Sequence, residues 1–408
     1  MRFSPVAFIF ILWVFSLNLT AQQPTANWPS FRGYHAQGTA QANIKIPQSW
    51  SVPDNKNIKW RVPIPGLAHS SPIVWGDRVF ITTAINSKGK SELKLGLYGN
   101  IAPVKNPPAH SWWIYCLDRQ TGKVMWKHKC HDGIPQVKRH TKATHANSTP
   151  TTDGKYIVAF FGSEGILCLD MEGKQIWARN FGLLDSGFFR APRAQWGFAS
   201  SPIIHEDKVI IQCDVQKNSF IAALDLKTGK TLWRTARTEV PTWSTPTVYV
   251  GSEQTQVIVN GFKHIGGYDL ENGKEVWQLS GGGDIPVPTP VIGYKLIFIT
   301  NAHGPGSPIY AIKPDAKGNI SLEQGEHSNQ FIKWSVPRGG GYMQTPIVYE
   351  NHFYTCRDNG VLSCYAAKTG KLFYKERLGR ATGFTASPVA GDGNLYFAGE
   401  SGEVVVVK

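Results

Sequence analysis

Four short β-strands joined by tight turns are predicted by one stretch of the chain: Ser201-Pro202-Ile203-Ile204, Asp207-Lys208-Val209-Ile210-Ile211-Gln212, Ile221-Ala222-Ala223-Leu224-Asp225 and Thr228-Gly229-Lys230-Thr231-Leu232-Trp233. Pro202 is tolerated because it begins its strand, where no ladder hydrogen bond needs its missing N–H. Gly229 supplies the positive φ that a tight hairpin turn requires. The stretch is therefore a four-stranded antiparallel unit that ends on a tryptophan.

The same unit recurs along the chain, and a repeat of about 40–50 residues built from four strands is typical of a propeller blade. The strand-initial prolines are Pro72, Pro150, Pro202, Pro246, Pro290, Pro346 and Pro388. The turn recurs at Gly122, Gly173, Gly273 and Gly370, and more loosely at Gly318. The aromatic residue that ends the unit recurs as Trp126, Trp177, Trp277, Trp334 and Tyr374. These repeats predict an all-β propeller with seven countable four-stranded blades.

Trp60 lies in a strand-like segment that precedes the first repeat. Residues 58–61 (Ile-Lys-Trp-Arg) resemble a fourth strand but precede the first blade, and the last unit, which ends at 404–407, has no fourth strand after it. We expect the N-terminal strand to complete the last blade, because that pairing removes an open sheet edge. An unpaired leader is the alternative.

The start of the chain predicts export. Met1 and Arg2 precede an apolar run over 6–19, and a short positive start, an apolar core and a small residue before the cleavage point are typical of a signal peptide. We expect cleavage after Ala21, no lipid anchor because no Cys stands at the cleavage point, and no membrane span. The predicted organisation is a signal peptide over 1–21, a leader segment over 22–57 and a propeller over 58–408.

Charge and cysteine content add little about function. The net charge is +14, which fits an acidic partner or, since many lysines lie at repeated turn positions, simple solubility. No motif indicates nucleic-acid binding. Cys116, Cys168 and Cys364 share a repeat position that other blades fill with small residues, so we interpret them as buried small apolar side chains. The one credible disulfide pair is Cys356 with Cys364, across a short hairpin.

Insertions interrupt the period at 83–111, 127–147 and 178–199, and their loops are expected on the same face as the segments that join the blades. Loops on a rigid scaffold are where binding sites usually lie. Aromatic, imidazole and amide side chains in the joining segments suit a planar or sugar-like ligand. The candidate ligand-binding residues are His69, His145, Asn147, Trp196, Trp243, Tyr342 and Phe384.

Catalytic and metal motifs are weak. The densest set of potential metal ligands is His128, Cys130, His131, Asp132, His140 and His145. Its spacing matches no standard zinc pattern and lysine and arginine residues interrupt it, so we predict no metal site. Asp118, Asp170, Asp225 and Asp269 recur before the turns, and we interpret them as caps of backbone amides.

The pattern Asp225-x-x-Thr228-Gly229-Lys230-x-x-Trp233 resembles the pyrroloquinoline-quinone-like propeller repeat. The segment Trp28-Pro29-Ser30-Phe31-Arg32-Gly33 is similar to one in exported bacterial proteins of that family. The resemblance implies a fold shared with quinoprotein alcohol dehydrogenases and with the propeller lipoprotein of the outer-membrane assembly machinery. Relatives of both kinds have eight blades and often continue beyond the point where this chain stops.

Two functional classes follow from the resemblance. The first is a monomeric, non-catalytic binding or scaffold protein of the cell envelope, periplasmic or secreted, that recognises a protein or a carbohydrate-like ligand at the channel mouth. The second is a dehydrogenase dependent on pyrroloquinoline quinone and calcium. The resemblance implies an adjacent Cys-Cys pair and an acidic calcium site for such enzymes, and this chain has no Cys-Cys dipeptide. We therefore favour binding and predict no cofactor.

Overall fold

The computed structural model describes residues 26–41, 44–89, 93–94, 96, 102–304, 306–379 and 383–408. The predicted signal peptide lies outside these residues. Two short 3-10 helices, Tyr34–Ala36 and Gly162–Glu164, accompany a structure that is otherwise built of β-strands.

In the described residues seven sheets, antiparallel except for one short parallel pairing, follow one another along the chain, and we number them as blades 1 to 7. Blades 1 to 3 comprise β1 (Ile73–Trp75), β2 (Arg78–Asn86), β3 (His110–Asp118) and β4 (Val124–Gly133); β5 (Thr151–Thr152), β6 (Tyr156–Phe160), β7 (Ile166–Asp170) and β8 (Gln175–Arg179); and β9 (Ile203–His205), β10 (Lys208–Cys213), β11 (Phe220–Asp225) and β12 (Thr231–Ala236). Blades 4 and 5 comprise β13 (Thr247–Val250), β14 (Thr255–Val259), β15 (Ile265–Asp269), β16 (Glu275–Leu279) and β20 (Gly318–Asn319); and β17 (Val291–Gly293), β18 (Leu296–Thr300), β19 (Ile309–Ile312) and β21 (Ile332–Val336). Blades 6 and 7 comprise β22 (Ile347–Tyr349), β23 (His352–Cys356), β24 (Val361–Ala366) and β25 (Leu372–Arg377); and β26 (Val389–Gly391), β27 (Asn394–Ala398) and β28 (Val404–Val407).

The prediction of an all-β propeller with seven countable blades is confirmed. The middle strands read as continuous apolar runs because both of their faces are covered by neighbouring blades. In β10 every residue is buried. The fourth strands lie at the outer edge and bury little beyond their tryptophan, as β12 does with Trp233.

In four seams between consecutive blades, the repeated tryptophan packs over a turn glycine of the next blade. The Trp233 indole packs over Gly273 of the next blade and donates to the Leu270 carbonyl at 2.8 Å. Trp177 repeats both contacts, over Gly229 and with the Leu226 carbonyl. A Cβ on Gly273 would lie 2.4 Å from the indole, so this turn needs glycine for space as well as for its φ of 70°.

The small residue predicted in each third strand lies directly across the ladder from the tryptophan. Ala223 is paired with Trp233 and Cys168 with Trp177. The ladder shifts register immediately beyond this pair in both blades, which is a β-bulge. The large ring therefore explains the small partner.

A chain of hydroxyl groups links the first strands around the channel. The residue before each strand-initial proline is Ser or Thr, and its backbone N–H donates to the hydroxyl of the equivalent residue in the next blade at 2.9–3.3 Å. The residues joined in this way are Ser71, Thr149, Ser201, Thr245, Thr289, Thr345 and Ser387. These side chains therefore fix neighbouring blades to one another at the channel wall.

The segment over 28–40 crosses the underside of the ring, where the turns between first and second strands lie. Trp28 exchanges backbone hydrogen bonds with Val74 of blade 1. The buried Arg32 guanidinium donates to the carbonyl of Pro346 in blade 6 and to that of Pro388 in blade 7. The segment thus joins the first blade to the last.

The predicted closing strand is only partly seen. The Trp60 indole packs over Gly122 of blade 1 and donates to the Arg119 carbonyl at 2.9 Å, as a seam tryptophan does. Residues 58–61 are extended but share no ladder with β28, so the described residues give blade 7 three strands. Pro63 and Pro65 follow at once and have no N–H to extend such a ladder.

All six cysteines are free, including the pair Cys356 and Cys364. The ladder sets Cys356 opposite Leu362 and Cys364 opposite Tyr354, so the two thiols do not face each other across the hairpin. Over the residues that the structure describes, no helix has the length and apolar character needed to cross a membrane.

Candidate functional site at the channel mouth

The mouth is the face opposite the underside. In an antiparallel blade the connection between second and third strands and the join to the next blade leave from the same side, so both kinds of segment meet there. The join over 178–199, between blades 2 and 3, folds back on itself through a bridge between Gly187 and Gln195. This fold carries its aromatic residues across the mouth.

A row of aromatic rings spans the mouth. Phe188 is stacked on Trp196 with a centroid distance of 5.6 Å and an interplanar angle of 3°. Trp243, from the join between blades 3 and 4, lies 5.5 Å from Trp196. On the other side Phe188 meets His303 of blade 5 edge-on at 6.0 Å, and His303 stacks on Tyr342 at 5.5 Å.

Charged groups accompany the row. The Asp284 carboxylate, whose side chain is only 3% exposed, lies 2.6 Å from His303 Nδ1 and 3.2 Å from Arg190 Nε. Arg190 is 55% exposed and lies over the ring of Phe189 at 5.3 Å. Burial, reinforced by nearby carboxylates, raises the pKa of Tyr342 to about 12, so its hydroxyl stays a neutral hydrogen-bond donor. The mouth therefore offers flat apolar faces beside a cation and neutral donors.

Three buried amide side chains, from blades 3, 4 and 5, form one hydrogen-bonded cluster. Gln212 donates to the Asn260 carbonyl at 3.0 Å, and Asn301 donates to the Asn260 side chain at 2.8 Å. All three are fully buried. Gln212 Oε1 and Asn301 Oδ1 have no hydrogen-bond partner among the described residues. Such acceptors have capacity left for a further donor.

The structure brings three of the predicted residues together: Trp196, Trp243 and Tyr342 belong to this row. His69 and His145 lie apart, near blades 1 and 2. His69 Nε2 contacts the Lys142 carbonyl at 2.6 Å and its ring is exposed, whereas His145 lies 4.8 Å from the His110 ring.

Two other predicted residues have internal roles in the structure. Asn147 accepts from Thr144 and donates to the Phe198 carbonyl at 3.0 Å, so its amide holds the neighbouring join in place. Phe384 is 1% exposed and packs in the core between blades 6 and 7. Its ring is therefore buried and does not face the mouth.

Burial depresses the basicity of His145. Its pKa is lowered to about 3, chiefly by desolvation, with smaller contributions from His110 and Arg139. Its Nε2 is buried without a hydrogen-bond partner among the described residues. The ring is therefore neutral throughout the physiological range.

Four residues of the mouth were missed by the sequence analysis: Phe188, Arg190, Asp284 and His303. The signal for two of them was available, since Phe188 and Arg190 lie in the predicted insertion over 178–199. His303 lies in a loop that lengthens blade 5. Asp284 has no repeat signature and is recognisable only from its contacts.

The repeated aspartates cap their turns, as predicted. Asp225 Oδ1 accepts from the Thr228 N–H at 2.8 Å and from its hydroxyl at 2.6 Å. Asp118 does the same with Thr121. In the described part of the chain no three His, Cys, Asp or Glu side chains are grouped so that they could hold a metal ion.

The architecture defines a β-propeller with an aromatic mouth, and comparison with known proteins refines the class. The family model described as "Outer membrane protein assembly factor BamB" matches residues 111–304. Over this segment the chain is similar to pyrroloquinoline-quinone-like β-propeller proteins.

Relatives of this chain are distant. The tetrathionate hydrolase of Acidithiobacillus ferrooxidans is 28% identical over 47% of this chain and 37% of its own. The polyvinylalcohol dehydrogenase of a Pseudomonas species is 23% identical over 54% of this chain and 35% of its own. The match thus spans little more than a third of either relative. Among solved structures, BamB of Moraxella catarrhalis is similar with 12% identity and a TM-score of 0.48, over 75% of this chain and 80% of that one.

Proposed function

We propose that this protein is an exported, non-catalytic binding propeller of the cell envelope, and that its ligand, a carbohydrate-like molecule or a protein segment, binds at the aromatic mouth. The parallel stack of Phe188 on Trp196 carries the proposal. It extends to His303, which meets Phe188 edge-on, and from there to Tyr342, so that aromatic rings form a continuous row across the mouth. Flat faces of sugars and aromatic side chains of proteins both pack on such surfaces.

Polar groups beside the aromatic stack would orient the bound ligand. The exposed Arg190 guanidinium and the neutral Tyr342 hydroxyl are hydrogen-bond donors at the mouth. Ligand sites typically combine apolar walls with a few such polar groups. The match to a family model described as an outer-membrane assembly factor supports an envelope location and a protein partner.

Calorimetric titration with soluble oligosaccharides and with extended peptides tests the proposal. Phe188→Ala and Trp196→Ala are expected to weaken binding by roughly tenfold or more, since central aromatic residues dominate interfaces. Tyr374→Ala is the matched control, because it removes an aromatic ring on the outer edge of blade 6 that is 38% exposed. Equal affinity of Phe188→Ala and the unchanged protein would refute the mouth as the binding site.

A quinone-dependent dehydrogenase is the second candidate, supported by the relative named polyvinylalcohol dehydrogenase. The residues present fit the cofactor poorly. Asp284, the carboxylate of the mouth row, is already shared by Arg190 and His303, and the sequence has no adjacent cysteines. We therefore derive no reaction step through a quinone. Addition of pyrroloquinoline quinone and calcium, followed by dye-linked alcohol oxidation, tests this candidate directly, and turnover would displace the binding proposal.

A further inference from the structure

The repeat departs from its pattern in blade 5, far from the mouth. Residues 313–331 replace the short turn between third and fourth strands, and β20 within them pairs in parallel with β16 of blade 4. The excursion borders an underside cleft of about 680 Å³ between blades 5 and 6. The cleft is therefore formed by the segment 313–331. Among the described residues this segment is the one long insertion on the underside.

Four lysines line this cleft: Lys295, Lys313, Lys333 and Lys368. The only carboxylate in the lining is Asp315, and no ion pair joins it to any of the four in the part of the chain that the structure describes. The Lys313 ammonium donates to the Gln330 carbonyl at 2.7 Å, and the Lys368 ammonium lies 5.7 Å above the Tyr294 ring. The cleft therefore concentrates positive charge that its own walls leave uncompensated.

The turn between β17 and β18 lies at the rim of the cleft. Tyr294 and Lys295 in this turn have left-handed φ angles of 52° and 59°. Glu206, Glu350 and Asn351 adopt the same conformation in the equivalent turns of blades 3 and 6, so this is the usual geometry of the turn. The turn sets a tyrosine and a lysine at the rim of the cleft, where the Tyr294 hydroxyl accepts the Asn351 N–H.

We propose that the lysine cleft binds a phosphate group. Carboxylates are typically held by the two-pronged guanidinium of arginine, and no arginine among the described residues lines this cleft. Lysine ammoniums act as point charges, and several can surround one tetrahedral oxyanion. Two sources share this chemistry: the headgroup of an anionic phospholipid and a soluble phosphate ester.

The rest of the underside favours an extended source. The lysines of the repeated turns, Lys123, Lys174, Lys230, Lys274 and Lys371, lie on this same face. An anionic surface would meet the cleft and these lysines together. The mouth would then face away from that surface and remain open to its own ligand. The inference is independent of what the mouth binds.

Co-sedimentation of the full chain with vesicles tests the proposal. The probes are vesicles of phosphatidylglycerol with phosphatidylcholine, neutral vesicles of phosphatidylcholine alone, and glycerol phosphate as a soluble ester. We expect binding to the anionic vesicles or to glycerol phosphate, and not to the neutral vesicles, with an affinity that falls as salt rises. Failure of the unchanged protein to bind either phosphate source at low salt would overturn the proposal.

Matched charge variants locate the site. Lys295→Gln with Lys333→Gln is expected to weaken binding roughly 25-fold, about fivefold for each lysine near the bound anion. Lys217→Gln with Lys263→Gln removes the same charge from exposed loops between second and third strands, on the opposite face, and should change affinity less than about threefold, because screening limits its reach. Equal losses in the two variants would mean that the net charge of the whole protein attracts anions and would refute the cleft.

Two further measurements complete the test. Circular dichroism of both double variants confirms that exposed lysines were removed without unfolding. Competition between glycerol phosphate and the anionic vesicles identifies the source: displacement assigns a soluble ester, and its absence assigns the lipid surface. Phe188→Ala should leave vesicle binding unchanged, so a failed mouth proposal would not affect this result.

Discussion

The seams between blades and the mouth of the channel use tryptophan in opposite ways. Trp233 and Trp243 both donate an indole N–H to a backbone carbonyl, at 2.8 and 2.9 Å. Trp233 is 8% exposed because the turn at Gly273 of the next blade covers its ring. Trp243 is half-buried and leans on another ring, Trp196, within a segment that has no repeat. The two indoles therefore make equivalent hydrogen bonds. They differ in burial, because a turn of the next blade covers the ring of Trp233, whereas another aromatic ring lies against Trp243.

Removal of the segment that joins the first blade to the last should have the largest effect. A chain that begins at Ser70 lacks Trp28, Arg32 and Trp60, and with them the contacts to blades 1, 6 and 7. We expect aggregation or loss of cooperative unfolding, since open sheet edges invite association. A chain that begins at Asn27 should remain monomeric and stable by size-exclusion chromatography and thermal melting. Equal behaviour of the two chains would show that the ring closes without this segment.

Substitution of a seam tryptophan should have the second largest effect on stability. Trp233→Ala and Trp277→Ala should each lower the free energy of unfolding by about 3–5 kcal/mol, because a large buried ring leaves a cavity. Denaturant melts measure the loss. Trp277 is fully buried but donates its indole N–H to Gln256 of its own blade, whereas Trp233 donates to the next blade. The two variants therefore separate burial of the ring from the hydrogen bond between blades. Losses below about 1 kcal/mol in both variants would contradict the assignment of these rings to seam packing.

The histidine near blades 1 and 2 gives a pH-dependent effect. The pKa of His145 is lowered from 6.5 to about 3 by burial, so the unfolded chain takes up a proton below pH 6.5 that the folded chain refuses. Its contribution to stability is therefore present above pH 6.5 and lost as pH falls toward 3. Between pH 7 and pH 5 the loss should be about 2 kcal/mol. His145→Gln should show that much less acid sensitivity in denaturant melts, and an unchanged slope would contradict the buried state of the ring.

The smallest effect on stability is expected at the mouth. Trp243→Ala should cost about 1 kcal/mol, because its ring is already partly exposed and the change leaves the buried neighbours Thr242 and Ser244 in place. Binding of the mouth ligand, measured by calorimetry, should nevertheless be lost. If Trp243→Ala is destabilised as much as Trp233→Ala, or binds as the unchanged protein does, the distinction between seam and mouth tryptophans fails.

Much of the fold was determined by the sequence, because each blade repeats local chemistry. Strand alternation, turn glycine, capping aspartate and the small residue opposite the tryptophan all lie within one unit of about 40–50 residues. One further signal was present and was missed. Each strand-initial proline follows a Ser or a Thr, such as Ser201 or Thr245, and these hydroxyls link the blades.

The sequence also predicted Trp196, Trp243 and Tyr342 as residues of the mouth. Only the tertiary structure decided which side chains contact one another. Phe188 and His303 are far apart in the chain, and so are Arg32 and its acceptor Pro388. Such contacts depend on how segments without a period fold back over the ring. For the same reason Phe384, assigned to the mouth by its place before a proline, lies in a seam. The strands, turns and seam residues of the blades repeat, so a local sequence pattern predicts them. The insertions and joins are positioned by contacts between distant residues, which no local pattern encodes.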